Sequence, residues 1–342
     1  MTQIVDWNKL IFPKLGWEFT VNSDAFTVFG LTIKWYGIMI TLGLLLAFFY
    51  CFKRMKSYGL DQDRVVDAVF FGLIGGIIGA RAYFVLMQWD DYKDNLSSVF
   101  SIRDGGLAIY GGIIGSVIIG CIVAKIRKVR IAPLLDLAGM GFLIGQGFGR
   151  WGNFFNHEAF GSNTNLPWGM TSLRIQNYLS ENANKIFEST GIQVDPLIPV
   201  HPCFLYESLW CFIGFLILHL YSKKRKFDGE IFLLYVGWYG LGRFFIEGLR
   251  TDSLMIGHIR VSQLVAGVCV LAALIIILAK RRKIALDGEY TFYKDTEESK
   301  ILLKQAEEKA NSKGNKKTDT KITSDESKIE ETMEDNKDGE DN

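Results

Sequence analysis

Seven apolar runs, set apart by clusters of basic residues, constrain this chain more than any other feature. A helix needs about 20 mostly apolar residues to cross the hydrocarbon core of a bilayer. Stretches of that kind run over residues 35–52, 65–88, 107–124, 133–151, 201–221, 230–247 and 259–279. Backbone groups in lipid must pair within their own segment, so such runs fold as helices. The expected fold class is an all-α integral membrane protein with seven transmembrane helices.

Basic residues give the runs a direction. Lys53-Arg54-Met55-Lys56 follows the first run, and Lys125 to Arg130 separates the third from the fourth. Lys223 to Lys226 separates the fifth from the sixth, and Lys280 to Lys283 follows the last. With seven spans, all of these clusters fall on one face. Cytoplasmic loops carry the excess of Lys and Arg. The N-terminus is therefore expected outside and the C-terminus in the cytoplasm.

The remaining segments divide around this 35–283 membrane domain. Residues 152–200 are too long for a tight connection and are expected to form a small extracytoplasmic head. Residues 1–34 scatter Trp7, Ile11, Phe12, Trp17 and Phe19 among Asp6, Lys9, Lys14 and Glu18, without the pattern of a cleavable signal peptide. That arm either lies in the headgroup layer, which favours Trp and Tyr, or is an ordinary exposed segment. Residues 284–342 are dominated by Glu, Asp, Lys, Ser, Thr and Asn, with one or two helical turns conceivable over 301–310. The segment buries too little apolar surface to fold alone and is expected as a disordered cytoplasmic tail.

Several classes are disfavoured. The 5 cysteines lie in or beside apolar runs without a CxxC pair, which reads as packing rather than a disulfide framework. His157, His201, His219 and His258 form no ligand set, so no metal is expected. A net charge of +1 selects no partner, and no nucleic-acid partner is expected. No internal repeat stands out, which counts against a two-halved transporter. Gly72, Gly76 and Ala80, like Gly111 and Gly115, keep the small-xxx-small spacing that lets helices approach closely. The alternative is that Gly105-Gly106 and Gly111-Gly112 present backbone N–H groups to an anion.

The polar groups inside these runs carry the functional signal. A charge near bilayer depth costs several kcal/mol unless paired or set against a wet cavity. Yet Gly149-Arg150-Trp151-Gly152-Asn153-Phe154-Phe155-Asn156-His157-Glu158-Ala159-Phe160-Gly161 ends a long apolar run. Arg243 and Glu247 share a face of the sixth run, Glu207 lies in the fifth and Arg81 in the second. Arg243 and Glu247 either neutralise each other, or Arg243 joins Arg150 around a phosphate, which the planar guanidinium fork matches. Asn153 and Glu158 read either as a cap and network or as part of that pocket. Glu207 reads as a buried hydrogen-bonding group, and Asp136 and Arg81 as structural or interfacial. An outward-facing phosphate pocket in a membrane points to phospholipid headgroups.

The run from Gly149 to Gly161 resembles the signature of the bacterial prolipoprotein diacylglyceryl transferases. So do Trp35-Tyr36-Gly37, Gly105-Gly106-Leu107, Tyr110-Gly111-Gly112, His201-Pro202 through Tyr206-Glu207, and Tyr239-Gly240 through Arg243, Glu247 and Arg250. The likeness spans about Trp7 to Lys283 in consistent order, leaving the charged tail outside. It implies a seven-span enzyme of the bacterial inner membrane that needs no cofactor. Its partners would be the lipid bilayer, phosphatidylglycerol and prolipoprotein signal peptides with a lipobox cysteine. The diacylglyceryl group would pass to the cysteine thiol as a thioether, releasing glycerol 1-phosphate, the first step of lipoprotein maturation. Arg150, Arg243, Tyr110 and Glu247 would be catalytic. Arg150, Asn153, Glu158, Gly161, Tyr36, Tyr239 and Arg243 would bind the lipid, with His201, Glu207 and Arg250 in support. Many members carry a histidine where this chain has Tyr110, and that histidine has been considered the proton acceptor for the thiol. A phenol is a weaker base than an imidazole at neutral pH, so Tyr110, Glu247 and the leaving phosphate all stand as acceptors. The rival readings are a phospholipid or anion transporter using the same arginines, and a scaffold whose tail recruits partners.

Overall fold

In a computed structural model that describes residues 6–93, 95–101, 105–251, 253–257 and 259–312, the apolar runs are helical. The strands β1 (Lys9–Phe12), β2 (Trp17–Thr20), β3 (Asp24–Val28) and β4 (Leu31–Lys34) precede the helices α1 (Trp35–Arg54), α2 (Gln62–Met87), the single turn α3 (Trp89–Tyr92), α4 (Ile109–Ile126) and α5 (Ile131–Asn156). Then come β5 (Thr171–Ser172), α6 (Leu173–Thr190), α7 (Cys203–Tyr221), α8 (Glu230–Leu249), β6 (Met255–Ile256), β7 (Ile259–Arg260) and α9 (Val261–Asp287). Among the described residues, 6 helical stretches are long and apolar enough to cross a membrane: Trp35–Tyr58, Gln62–Met87, Ile109–Ile126, Ile131–Asn156, Cys203–Lys224 and Val261–Asp287. The helix α8 fills the place expected of another span, but Arg243 and Glu247 lower the apolar character of its second half.

The described residues of Met1–Arg54 and Ala132–Thr291 form one compact unit, and those of Met55–Ile131 and Phe292–Asn342 another. In the first unit the arm and the head are one body. The strand β1 pairs antiparallel with β2 and, across a long stretch of sequence, with β5, setting Leu10 opposite Ser172. Leu10, Phe12 and Val21 from the arm share a buried cluster with Phe160, Met170, Ile175, Leu179 and Val200 of the head. The fold is thus mostly helical rather than all-α. The amphipathic helix α6 closes this cluster. Ser172 caps it by accepting from the Ile175 amide at 3.2 Å, and Gly191 ends it in the left-handed conformation. The β3–β4 hairpin keeps its apolar side chains outside, with Phe29 wholly exposed at the tip.

In the second unit α2 and α4 pack backbone to backbone. A methyl group added at Gly79 would strike the Gly111 carbonyl oxygen, and one at Gly115 the Gly75 carbonyl oxygen. The small-residue spacing therefore serves close packing. Arg81 is structural: its guanidinium donates to the carbonyls of Ser98, Val99, Gly105 and Gly106 at 2.7–3.1 Å. Part of the expected tail is ordered here. Residues 297–312 are helical. Ser299, fully buried, donates to the Gly59 carbonyl at 2.8 Å, and Tyr293 is buried as well. Gly59 sits at φ +77, and a side chain there would meet Lys294 and Ser299. The rest of the expected tail, 313–342, lies outside the described residues.

Candidate active site

Two interlocks fix the helices that carry the charges. Between α7 and α8, Trp210 and Trp238 stack with ring centroids 4.3 Å apart. Each indole N–H donates to the other residue's carbonyl, at 2.8 and 2.9 Å. Gly214 and Gly242 leave room for the rings, since a methyl group at either would meet an indole. Between α5 and α7, Trp151 donates to Ser208 at 3.2 Å, and Ser208 donates to the Gly147 carbonyl at 2.9 Å. Neighbours on one helix face recur every three or four residues. The first interlock therefore brings Glu207 opposite Tyr239 and Arg243, and the second brings it opposite Arg150.

Glu207 is 2 % exposed and is the centre of the cluster. One carboxylate oxygen takes Arg150 Nη2 at 2.6 Å and the Tyr239 hydroxyl at 2.9 Å. The other takes Arg243 Nη1 at 3.2 Å, while Arg243 Nη2 pairs with Glu247 at 2.6 Å. Arg243 thus pairs with Glu247 and, through Glu207, is also brought beside Arg150. The convergence is on a carboxylate that sequence reasoning placed in a supporting role. Two guanidiniums and two carboxylates balance in charge, which makes their burial tolerable. Both arginine side chains stay about a quarter exposed (24% and 23%), with N–H donors beyond those that Glu207 and Glu247 occupy.

Most of the remaining motif residues gather on the same unit. Asn153 and Asn156 donate their amides to Glu158 Oε1 at 2.9 and 3.1 Å. That turn holds His157 and Ala159 at φ +57 and +56, sparsely populated values for such residues. Gly161 receives no side chain because a methyl group would meet Cys203, His201 and the Leu249 carbonyl. Its amide donates to the His201 carbonyl at 2.8 Å, and it bridges to Arg250. Tyr36 lays its ring against Gly152, and Trp35 stacks on Phe155 at 5.0 Å. His201 contacts the Tyr206 hydroxyl at 3.1 Å, which also receives the Trp168 indole at 2.7 Å. Burial pushes the His201 imidazole below its ordinary range. Asp136 caps α8 by accepting from the Gly229 and Phe232 amides at 2.8 and 3.0 Å. Tyr110 belongs to the other unit, at the start of α4, with an exposed side chain.

The match with known proteins bears on the same residues. Residues 23–279 match the model of the prolipoprotein diacylglyceryl transferases. The chain belongs to that family. It is 41% identical over 270 residues to the phosphatidylglycerol–prolipoprotein diacylglyceryl transferase of Finegoldia magna, covering 79% of this chain and 100% of that relative. The enzyme of the same name from Clostridioides difficile is 40% identical over 265 residues, covering 77% and 98%. That from Staphylococcus haemolyticus is 41% identical over 264 residues, covering 77% and 89%. The helix at 297–312 lies beyond the family match. Glu207 and Tyr239, the hub and its hydroxyl partner, carry no local sign of their centrality. Only the contacts from three helices reveal it.

Proposed function

We propose that this protein is the transferase that moves the diacylglyceryl group of phosphatidylglycerol to the lipobox cysteine of a prolipoprotein. The observation that carries the reading is the meeting of Arg150 and Arg243, from two helices, at Glu207. Their spare N–H groups suit a phosphodiester, which they bind and polarise. The cysteine sulfur, as thiolate, attacks the glyceryl carbon that bears the phosphate ester. The S–C bond forms as the C–O bond breaks, and glycerol 1-phosphate leaves with the electron pair. The arginines stabilise the charge that builds on its oxygen. Glu207 and Glu247 orient the guanidiniums, and Tyr239 holds Glu207. Because Glu247 is buried against Arg243, the thiol proton goes to the departing phosphate rather than to that carboxylate. Asn153, Glu158 and Gly161 shape the pocket, and Tyr36 supplies a headgroup hydrogen bond.

The membrane arrangement is part of the proposal. The helix α8 completes seven spans, its charges tolerated because Arg243, Glu247 and Glu207 neutralise one another. The head and arm face outward, the exposed apolar hairpin β3–β4 rests in the headgroup layer, and the C-terminus is cytoplasmic. Purified protein, isotope-labelled phosphatidylglycerol and a lipobox peptide test the activity together. The expected product is a peptide heavier by one diacylglyceryl group with equimolar glycerol phosphate. An unmodified peptide would overturn the reading.

A further inference from the structure

A cavity of ≈ 360 Å³ opens in the head, lined by Asn156, His157, Glu158, Arg174, Tyr178 and Thr251. None of the arginines and carboxylates around Glu207 lines it. Its walls hold polar atoms without partners among the described residues. His157 is 3 % exposed, and among the described residues its ring nitrogens have no partner beyond a weak approach to the Val21 backbone. The buried Nε of Arg174 also lacks a partner, although its Nη2 donates to Asn8 at 3.1 Å and its plane lies over Trp7. Leaving buried polar atoms unpaired costs about 1–3 kcal/mol each. A turn held at two left-handed residues, His157 and Ala159, adds to that cost. Such an arrangement is what a site looks like when its ligand supplies the missing partners.

The lining narrows the ligand. A neutral imidazole offers one donor and one acceptor. The Arg174 Nε–H is a donor, the Glu158 carboxylate an acceptor, and Thr251 can act as either. An acyl chain would leave every polar atom unsatisfied. Mixed donors and acceptors match the N–H and C=O groups of an extended peptide, and the volume, at the small end of ligand cavities, suits a short stretch of one. We infer that this cavity binds the polar peptide segment that follows the acceptor cysteine of the prolipoprotein. The assignment rests on the transferase reading and adds to it a specificity site for the protein substrate.

The test compares two lipobox peptides, one ending just after the cysteine and one extended by several polar residues, in the full-length enzyme. The wild type should use the extended peptide with a KM about tenfold lower. Arg174→Gln and His157→Asn should raise that KM to the value of the short peptide. The KM for phosphatidylglycerol and the rate on the short peptide should stay unchanged, which also shows that the variants fold. Asparagine is chosen because it tolerates the left-handed backbone. Equal KM values for the two peptides in the wild type, or equal losses on both in the variants, would overturn the assignment. A raised KM for phosphatidylglycerol would instead assign the cavity to the lipid headgroup. No transfer to either peptide by the wild type would overturn the transferase reading itself.

Discussion

Replacing Glu207 by Gln keeps its shape and removes its charge. Taking one partner from a buried ion pair costs about 3–5 kcal/mol, and less here because water reaches both arginines. The variant should fold, with Arg150 and Arg243 less firmly placed. A misdirected donor typically costs a factor of about 100 or more in rate. The expected outcome is a fall of about that size in kcat/KM for lipid transfer by folded protein, and unchanged transfer would remove Glu207 from the site. Tyr110→Phe asks a different question. Near-normal rates are expected, because the phosphate rather than the phenol accepts the thiol proton. Loss of all transfer would restore the phenol as the base. His157 predicts a pH effect. Burial and the neighbouring Arg174 charge push its imidazole from 6.5 down to about 4, against a weak opposing pull from the Val21 backbone. The unfolded chain therefore binds a proton that the folded head excludes between those values. That contribution to stability is complete above pH 6.5 and is lost as the pH falls toward 4. Thermal unfolding of His157→Asn should lose this part of the acid sensitivity.

The helices were largely legible from local pattern. The expected runs 35–52, 201–221 and 230–247 correspond to Trp35–Arg54, Cys203–Tyr221 and Glu230–Leu249. An apolar run long enough to span a bilayer needs no partner to declare itself. The pairing of β1 with β5 was not legible, because Leu10 and Ser172 are far apart in sequence and the strand β5 has only 2 residues. The order at 292–312 was hidden for a related reason. Its anchor is Ser299, a small polar residue that gains its meaning only against Gly59. The exposed pairs Arg130–Glu298 (2.8 Å) and Lys56–Glu307 (3.2 Å) add little to it. Ending the chain after Ser312 should leave the melting temperature unchanged. Ending it after Thr291 should lower it by a few degrees, since about 1–2 kcal/mol of burial is lost. Equal melting temperatures would show that the segment does not hold the second unit.

At the scale of the molecule, the site was half legible. The conjunction of Arg150 and Arg243 followed from two charges in apolar runs that end on the same side. Its hub did not follow, because one glutamate in one run gives no sign of what two other helices bring to it. The chain binds its charges as a balanced set of two arginines and two glutamates, leaving donors for a phosphate at the place where α5, α7 and α8 are interlocked. The most direct measurement is diacylglyceryl transfer by Arg150→Ala and Arg243→Ala beside the wild type, followed by mass spectrometry of the peptide and release of glycerol phosphate. Each variant should remain folded and inserted while both products fall at least 100-fold. Wild-type yields from either folded variant would contradict the phosphate clamp.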